Sequence, residues 1–88
     1  MPRGMPRLRS QDGKLNLIGV RVSQRRTEMR LKQDEICGRI ALETRGEWTP
    51  GWQDLSRIEN GARLVSDIEA TIFAKVLECD LLWLLTGS

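Results

Sequence analysis

The nine residues Gln53–Gly61, QDLSRIENG, decide the fold of this 88-residue chain. Leu55 and Ile58 are spaced one helical turn apart and are expected to be buried on a single face. Gln53 and Arg57, at positions i and i+4, share another face that a core does not need. The segment therefore predicts a short helix that packs on one side and leaves its polar side free.

Helical spacing recurs on both sides of this segment, and no stretch shows the alternation of a β-strand. We predict an all-α fold, in which Thr49 is the N-cap and Pro50 the first residue of the third helix. Asp80 is predicted to cap the fifth helix. The five predicted helices cover residues 18–29, residues 33–43, residues 50–59, a stretch that begins at Ser66 or Asp67, and residues 81–85.

The predicted core consists of aliphatic side chains from every part of this pattern, with one cysteine among them. In the fourth helix the inward stripe is predicted to contain Ile68, Ile72, Phe73 and Val76. The full set of predicted core residues is Ile18, Val22, Met29, Leu31, Ile36, Cys37, Ile40, Leu55, Ile58, Ile68, Ile72, Val76 and Leu77.

The two cysteines and the absence of histidine argue against several functional classes. Cys37 and Cys79 are far apart in sequence and form no Cys-x-x-Cys pair, so we predict no metal site and read both as buried small side chains. A disulfide is not expected in a cytoplasmic protein. No nucleophile lies beside a base, so we predict that the protein is not an enzyme and has no cofactor.

The charge is unevenly distributed along the chain. Residues 1–33 carry nine basic and two acidic side chains, a balance of +7, against −5 for residues 34–88. A basic first third is typical of a protein with a polyanionic partner. Residues 1–16 contain few apolar side chains and are predicted to form a flexible basic arm, before a helical domain over residues 17–88. The arm cations that could add nonspecific contacts are Arg3, Arg7, Arg9 and Lys14, and an unbound tail is the alternative.

In this order and spacing the chain resembles the phage-repressor and Cro-like (lambda-repressor-like, XRE-type) helix-turn-helix family. The residues that carry the resemblance are Ile18-Gly19 with Val22 and Arg26, Leu31-Lys-Gln33 with Ile36 and Ile40, Leu55-Ser-Arg-Ile-Glu-Asn-Gly61, and Leu82-Trp-Leu-Leu-Thr-Gly87. The resemblance covers about residues 18–87. The stretch between the second and third helices is roughly eight residues longer than in compact members, and it contains Trp48.

The resemblance implies that the third helix reads the major groove of DNA. Arg can offer two donors to guanine, and Gln can pair with adenine. By resemblance, the base-contacting residues are Trp52, Gln53 and Arg57. The implied phosphate contacts are Gln33, Asn60 and Arg63, and Gln33 is also expected to brace Gln53. Lys32 could add a nonspecific phosphate contact. Arg26 and Glu59 are implied to form an ion pair between the first and third helices.

The apolar run Leu81-Leu-Trp-Leu-Leu85 has more large side chains than one short helix can bury. By resemblance Leu82, Leu84 and Leu85 close the core, which leaves Leu81 or Trp83 exposed and favours a homodimer through the C-terminal helix. A monomer remains the alternative. The expected function is sequence-specific double-stranded DNA binding by a cytoplasmic, nucleoid-associated transcriptional regulator, more often a repressor. No membrane association and no small-molecule effector are expected. The alternative function is a protein-interaction adaptor that keeps the helical fold without binding DNA.

Overall fold

The computed structural model describes residues 7–88, so Arg3 and the rest of residues 1–6 lie outside the described residues. Over residues 7–88 the chain forms helices and no strand. The predicted all-α class with five helices is confirmed. The helices are α1 (Gly19–Glu28), α2 (Gln33–Glu43), α3 (Trp52–Glu59), α4 (Asp67–Val76) and α5 (Leu81–Thr86).

The core lies where α2 packs against both α3 and α4, while α1 closes over α3 and α5 closes over α4. Gly19 lets α1 approach α3 closely, because a Cβ at this position would collide with the carbonyl oxygen of Ile58. Met29, Leu31, Cys37 and Ile72 from the predicted core are partly buried around the centre. The central, fully buried side chains are Ile18, Val22, Ile36, Ile40, Leu55, Ile58, Phe73, Leu77 and Leu84.

Helix α4 turns the predicted face to the core except at its first turn, since Phe73 and Val76 are buried and Ile72 is partly buried. Ile68 is 70% exposed, so its placement in the core was wrong. Phe73 is fully buried as predicted, with its ring edge-on to Trp48 at a centroid distance of 5.6 Å. Because residues five apart lie about 140° apart around a helix, turning Phe73 inward leaves Ile68 in solvent. Ala70 and Ala74 fill the inward face beside it.

One predicted helix start and one predicted side-chain cap differ from the structure. Helix α3 begins at Trp52 with Gly51 as its N-cap, so Pro50 is a buried loop residue and not the first helical residue. The Asp80 side chain makes no capping hydrogen bond. Ser66 does cap α4, since its hydroxyl accepts from the Glu69 amide at 3.1 Å and the Glu69 carboxylate accepts in return from the Ser66 amide. This reciprocal pair is a capping box.

Three helices end on a left-handed residue that is not glycine. The φ angles are 58° at Arg30 after α1, 53° at Arg45 after α2 and 52° at Glu78 after α4. In each case the next amide donates back into the last turn, as the Gly46 amide does to the Ala41 carbonyl at 2.8 Å. This is the Schellman ending, which usually places glycine at the left-handed position.

The long connection between α2 and α3 is held by side-chain contacts at both ends. The Thr44 hydroxyl accepts from the Trp48 amide at 3.0 Å and lies 2.9 Å from the Ile40 carbonyl oxygen, to which it can donate. The Trp48 indole packs on Phe73. The connection is therefore fastened to both α2 and α4 just before α3 begins.

Candidate nucleic-acid interface

Helix α3 separates a buried side from a free side. Leu55 and Ile58 are fully buried, and they anchor the helix against α1 and α2. On the other side Trp52 and Gln53 are exposed, and 60% of the Arg57 side chain is exposed. The three side chains predicted to meet DNA bases can therefore contact a partner without any change in the core.

Glu59 joins three helices. Arg26 of α1 donates to both of its carboxylate oxygens, from Nε at 2.8 Å and from Nη2 at 3.1 Å. The Glu59 side chain is only 7% exposed. The hydrogen bond to Glu59 raises the pKa of Arg26, so the guanidinium stays charged. Gln33 of α2 adds a third donor, its Nε2 lying 3.1 Å from Oε1. The structure thus brings Arg26 and Glu59 together as expected, with Gln33 beside them.

The amino end of α2 is occupied by the chain's own groups. Gln33 was expected to contact phosphate and to brace Gln53, but its amide donates to Glu59. The Glu35 carboxylate accepts from the Lys32 amide at 2.8 Å, and Asp34 adds a second acid in the first turn. These carboxylates already complement the positive end of the helix. Lys32 is exposed next to Trp52, on the rim of a shallow groove.

Arg63 and Asn60, both predicted to contact phosphate, lie in different surroundings. The Arg63 guanidinium binds both oxygens of Glu69, at 3.0 and 3.2 Å, and lies 6.0 Å from the centre of the Trp48 ring. Burial works to raise the pKa of Glu69, but the hydrogen bonds from Arg63 and from the Ser66 amide outweigh it and lower the pKa. Arg63 therefore holds the structure together, whereas Asn60, the C-cap of α3, is exposed.

The arginines of α1 do not form a basic surface, although the sequence interpretation counted them toward one. Arg21 donates to the Leu84 carbonyl at 2.9 Å, at the end of α5. Arg25 donates to the Leu77 carbonyl at 2.8 Å, at the end of α4. Cations bound to the last carbonyls of a helix satisfy those acceptors and complement its dipole. Arg21, Arg25 and Arg26, three of the nine basic side chains of residues 1–33, therefore connect helices.

The residues just before α1 close the carboxyl end of α3, a contact that sequence reasoning missed. The Asn16 side-chain amide donates to the carbonyls of Ile58 at 3.0 Å and Arg63 at 2.9 Å. Its oxygen accepts from the Gly19 amide at 2.7 Å. The contacts of the helical domain thus begin before residue 17. An Asn three residues ahead of a helical amide is a capping signal that can be recognised in the sequence. No sequence signal indicates that the same side chain also contacts α3.

The C-terminal helix exposes a different residue from the two expected. Leu81 and Trp83 pack partly buried against the core, and Trp83 lies beside Arg25. Leu82 is 57% exposed, so the expectation that it closes the core and leaves Leu81 or Trp83 outside was wrong. Leu84 is the member of this run that is fully buried, because it faces the α4 side of the core.

The remaining chemistry of the described residues is sparse. Cys37 and Cys79 are free and half-buried, and burial is the main cause that raises the pKa of each thiol. Within residues 7–88 no cluster of three metal-ligating side chains occurs. Among the same residues, no helix is both long and apolar enough to cross a membrane.

Comparisons with protein-family models, with curated proteins and with solved structures found no match for this chain.

Proposed function

We propose that this protein binds double-stranded DNA sequence-specifically, with α3 in the major groove, and regulates transcription as a repressor. One observation carries the proposal: α3 is clamped inward by Leu55 and Ile58, while Gln53 and Arg57 face solvent from the same helix. A major groove admits a single helix of this kind. A short helix fixed on one side and polar on the other is the arrangement that the resemblance to Cro-like proteins implies.

The exposed side of α3 has the donors and acceptors that base edges require. Arg57 can give two parallel hydrogen bonds to guanine, and Gln53 can pair with adenine. Asp54 lies 3.9 Å from the Arg57 guanidinium, with both side chains about half exposed or more. An exposed pair of this kind contributes little free energy, so Arg57 can leave Asp54 for a base. Trp52 at the start of the helix offers an apolar surface to a thymine methyl group.

The phosphate contacts divide into two groups. Lys32 at the start of α2 and Asn60 at the carboxyl end of α3 are exposed, so both can contact the DNA backbone beside the reading helix. Gln33 and Arg63, which the sequence analysis placed in the same group, are held by Glu59 and Glu69. In the proposed complex these two residues therefore position α3 and the connection after it.

A second copy of the chain is the proposed protein partner. Leu82 on α5 is the exposed apolar residue of the C-terminal helix, and it replaces Leu81 and Trp83 as the centre of the proposed homodimer contact. A two-fold dimer would place two α3 helices on half-sites about one DNA turn apart. A protein of this type would act in the cytoplasm, on the nucleoid.

The decisive experiment is selection of bound sites from a random duplex library at a stated salt concentration, followed by titration of the selected site. Arg57→Ala should lose about 1–3 kcal/mol of DNA-binding free energy and relax the preference at one base pair. Lys32→Ala is the matched control, since it also removes one positive charge, and it should weaken binding to all duplex sequences alike. Equal losses on all sequences for both variants would contradict the reading role of Arg57. An unenriched library would contradict the proposal as a whole.

A protein-interaction adaptor is the second candidate, and one observation favours it. Leu42 is 81% exposed and Ile68 is 70% exposed, and a protein partner would cover these two apolar side chains. Under this alternative, Leu42→Ser and Ile68→Ser would abolish binding of the protein partner, while Arg57→Ala would not. Sequence-specific DNA binding that is lost in Arg57→Ala and kept in the two serine variants would exclude the adaptor function.

A further inference from the structure

We propose that residues 7–14 form a second DNA contact, which binds the phosphates flanking the base pairs under the carboxyl end of α3. This inference rests on the proposed function and adds a site to it. The arginines of α1 bind groups on other helices. The cations that contact a polyanion must therefore come from elsewhere in the chain.

The segment before α1 is folded into a compact turn. The Ser10 amide donates to the Lys14 carbonyl and the Gly13 amide to the Ser10 carbonyl, both at 2.9 Å. The Arg9 guanidinium folds back and donates to the Gly13 carbonyl, also at 2.9 Å. Gly13 has a φ of 82°, which a side chain would strain. Arg9 and Lys14 are therefore held at one small turn.

The turn is attached to the carboxyl end of α3. The Leu15 amide donates to the Gly61 carbonyl at 2.8 Å, and the Lys14 ammonium donates to the Asn60 carbonyl at 3.2 Å. The Lys14 side chain lies so close to Gly61 that a Cβ there would collide with it. The position of the turn is thus set by the same helix that is proposed to read the bases.

The charges at the turn are available to a partner. Arg7 and Arg9 are exposed, and neither forms an ion pair with a carboxylate of the described residues. The one acid of residues 7–14 is Asp12, whose carboxylate accepts from the Ser10 hydroxyl. With Lys14, the segment has a balance of +2. Because a DNA backbone continues past both ends of a helix in the groove, phosphates are the groups that this turn would meet.

The test compares two double variants that remove the same number of positive charges. Each neutralised phosphate contributes roughly 0.9 to the slope of log affinity against log salt. Arg7→Gln with Arg9→Gln should therefore lower the magnitude of the slope by up to about 1.8 and leave the base preference unchanged. The control is Arg39→Gln with Lys75→Gln, since both cations lie on the α2 and α4 side and pair there with Glu78 and Glu43. The control slope should match that of the wild type.

The outcomes separate this inference from the function on which it rests. Wild-type binding with an unchanged slope in the Arg7/Arg9 variant would overturn the inference and leave the proposed function standing. Equal slope losses in both variants would also overturn it, because net charge alone would then explain the effect. Failure of the wild type to select any duplex would overturn the proposed function and the second contact with it. Hydroxyl-radical protection that is lost beside each half-site only in the Arg7/Arg9 variant would support the inference.

Discussion

Removing Arg26 should destabilise the protein more than removing any exposed cation. In Arg26→Ala the Glu59 carboxylate, whose side chain is only 7% exposed in the intact fold, loses two charged hydrogen bonds, at 2.8 and 3.1 Å. Breaking a buried pair from one side costs about 3–5 kcal/mol, because the remaining charge has no partner. Gln33 still donates to Glu59 in the variant, so we expect a loss near about 3 kcal/mol.

For a domain of this size each kcal/mol corresponds to roughly 4–8 °C in the midpoint of thermal unfolding. Arg26→Ala should therefore melt at least about 12 °C below the wild type, as followed by far-ultraviolet circular dichroism and repeated in urea. Arg57→Ala is the control, because Arg57 is exposed and its loss should change the unfolding free energy by less than about 0.5 kcal/mol.

A double variant separates the pair from the packing of its side chains. Arg26→Met with Glu59→Leu removes both charges and keeps apolar volume, and such replacements are often neutral or stabilising. It should therefore recover most of the stability that Arg26→Ala loses. An Arg26→Ala protein that unfolds with the wild type would refute the reasoning, since the carboxylate would then need no partner.

Three other perturbations follow from the same structure. Gly19→Ala should lower the free energy of unfolding in urea by about 1–3 kcal/mol, because its methyl group collides with the α3 backbone. Gly38→Ala, where a Cβ meets no other atom, should raise it by about 0.5–1 kcal/mol. A loss of stability at both sites would contradict this. The lowered pKa of Glu69 means that its pair with Arg63 stabilises the fold above the ordinary value of 4.5 and is lost as the pH falls through the lowered folded-state pKa. Acid unfolding of Glu69→Gln should thus show a weaker pH dependence below that value than the wild type, and identical curves would argue against it. Trp48→Ala should lose about 3 kcal/mol of unfolding free energy and much of the affinity for a selected duplex, while Trp48→Phe should keep most of both. Unchanged melting of the alanine variant would show that this indole does not hold the connection before α3.

The sequence was sufficient to predict the helices, but it placed one residue of α4 on the wrong side. Spacing placed Leu55 and Ile58 inward correctly because no alternative stripe exists on that short helix. On α4 the same reasoning placed Ile72, Phe73 and Val76 inward correctly and Ile68 wrongly. The rotation that exposes Ile68 goes with the contact between Phe73 and the ring of Trp48, which lies 25 positions earlier in the chain. Periodicity within one helix cannot contain that information.

The candidate site shows the same limit in its charges. Gln53 and Arg57 are exposed as their spacing predicted. Counting arginines gave the correct charge of the first third, but a count does not show that Arg21 and Arg25 end on the carbonyls of helices more than fifty residues away. Local capping rules are readable from sequence, whereas caps supplied from another helix depend on the packed fold.

The left-handed endings at Arg30, Arg45 and Glu78 also affect how the protein can be engineered. A residue with a side chain pays a conformational penalty of order 1 kcal/mol in that geometry, and glycine avoids most of it. The three positions follow the last residues of α1, α2 and α4, and none of them is among the residues proposed to contact DNA. Thermostable variants are therefore accessible by changing these termini alone, with the surface proposed for recognition left intact.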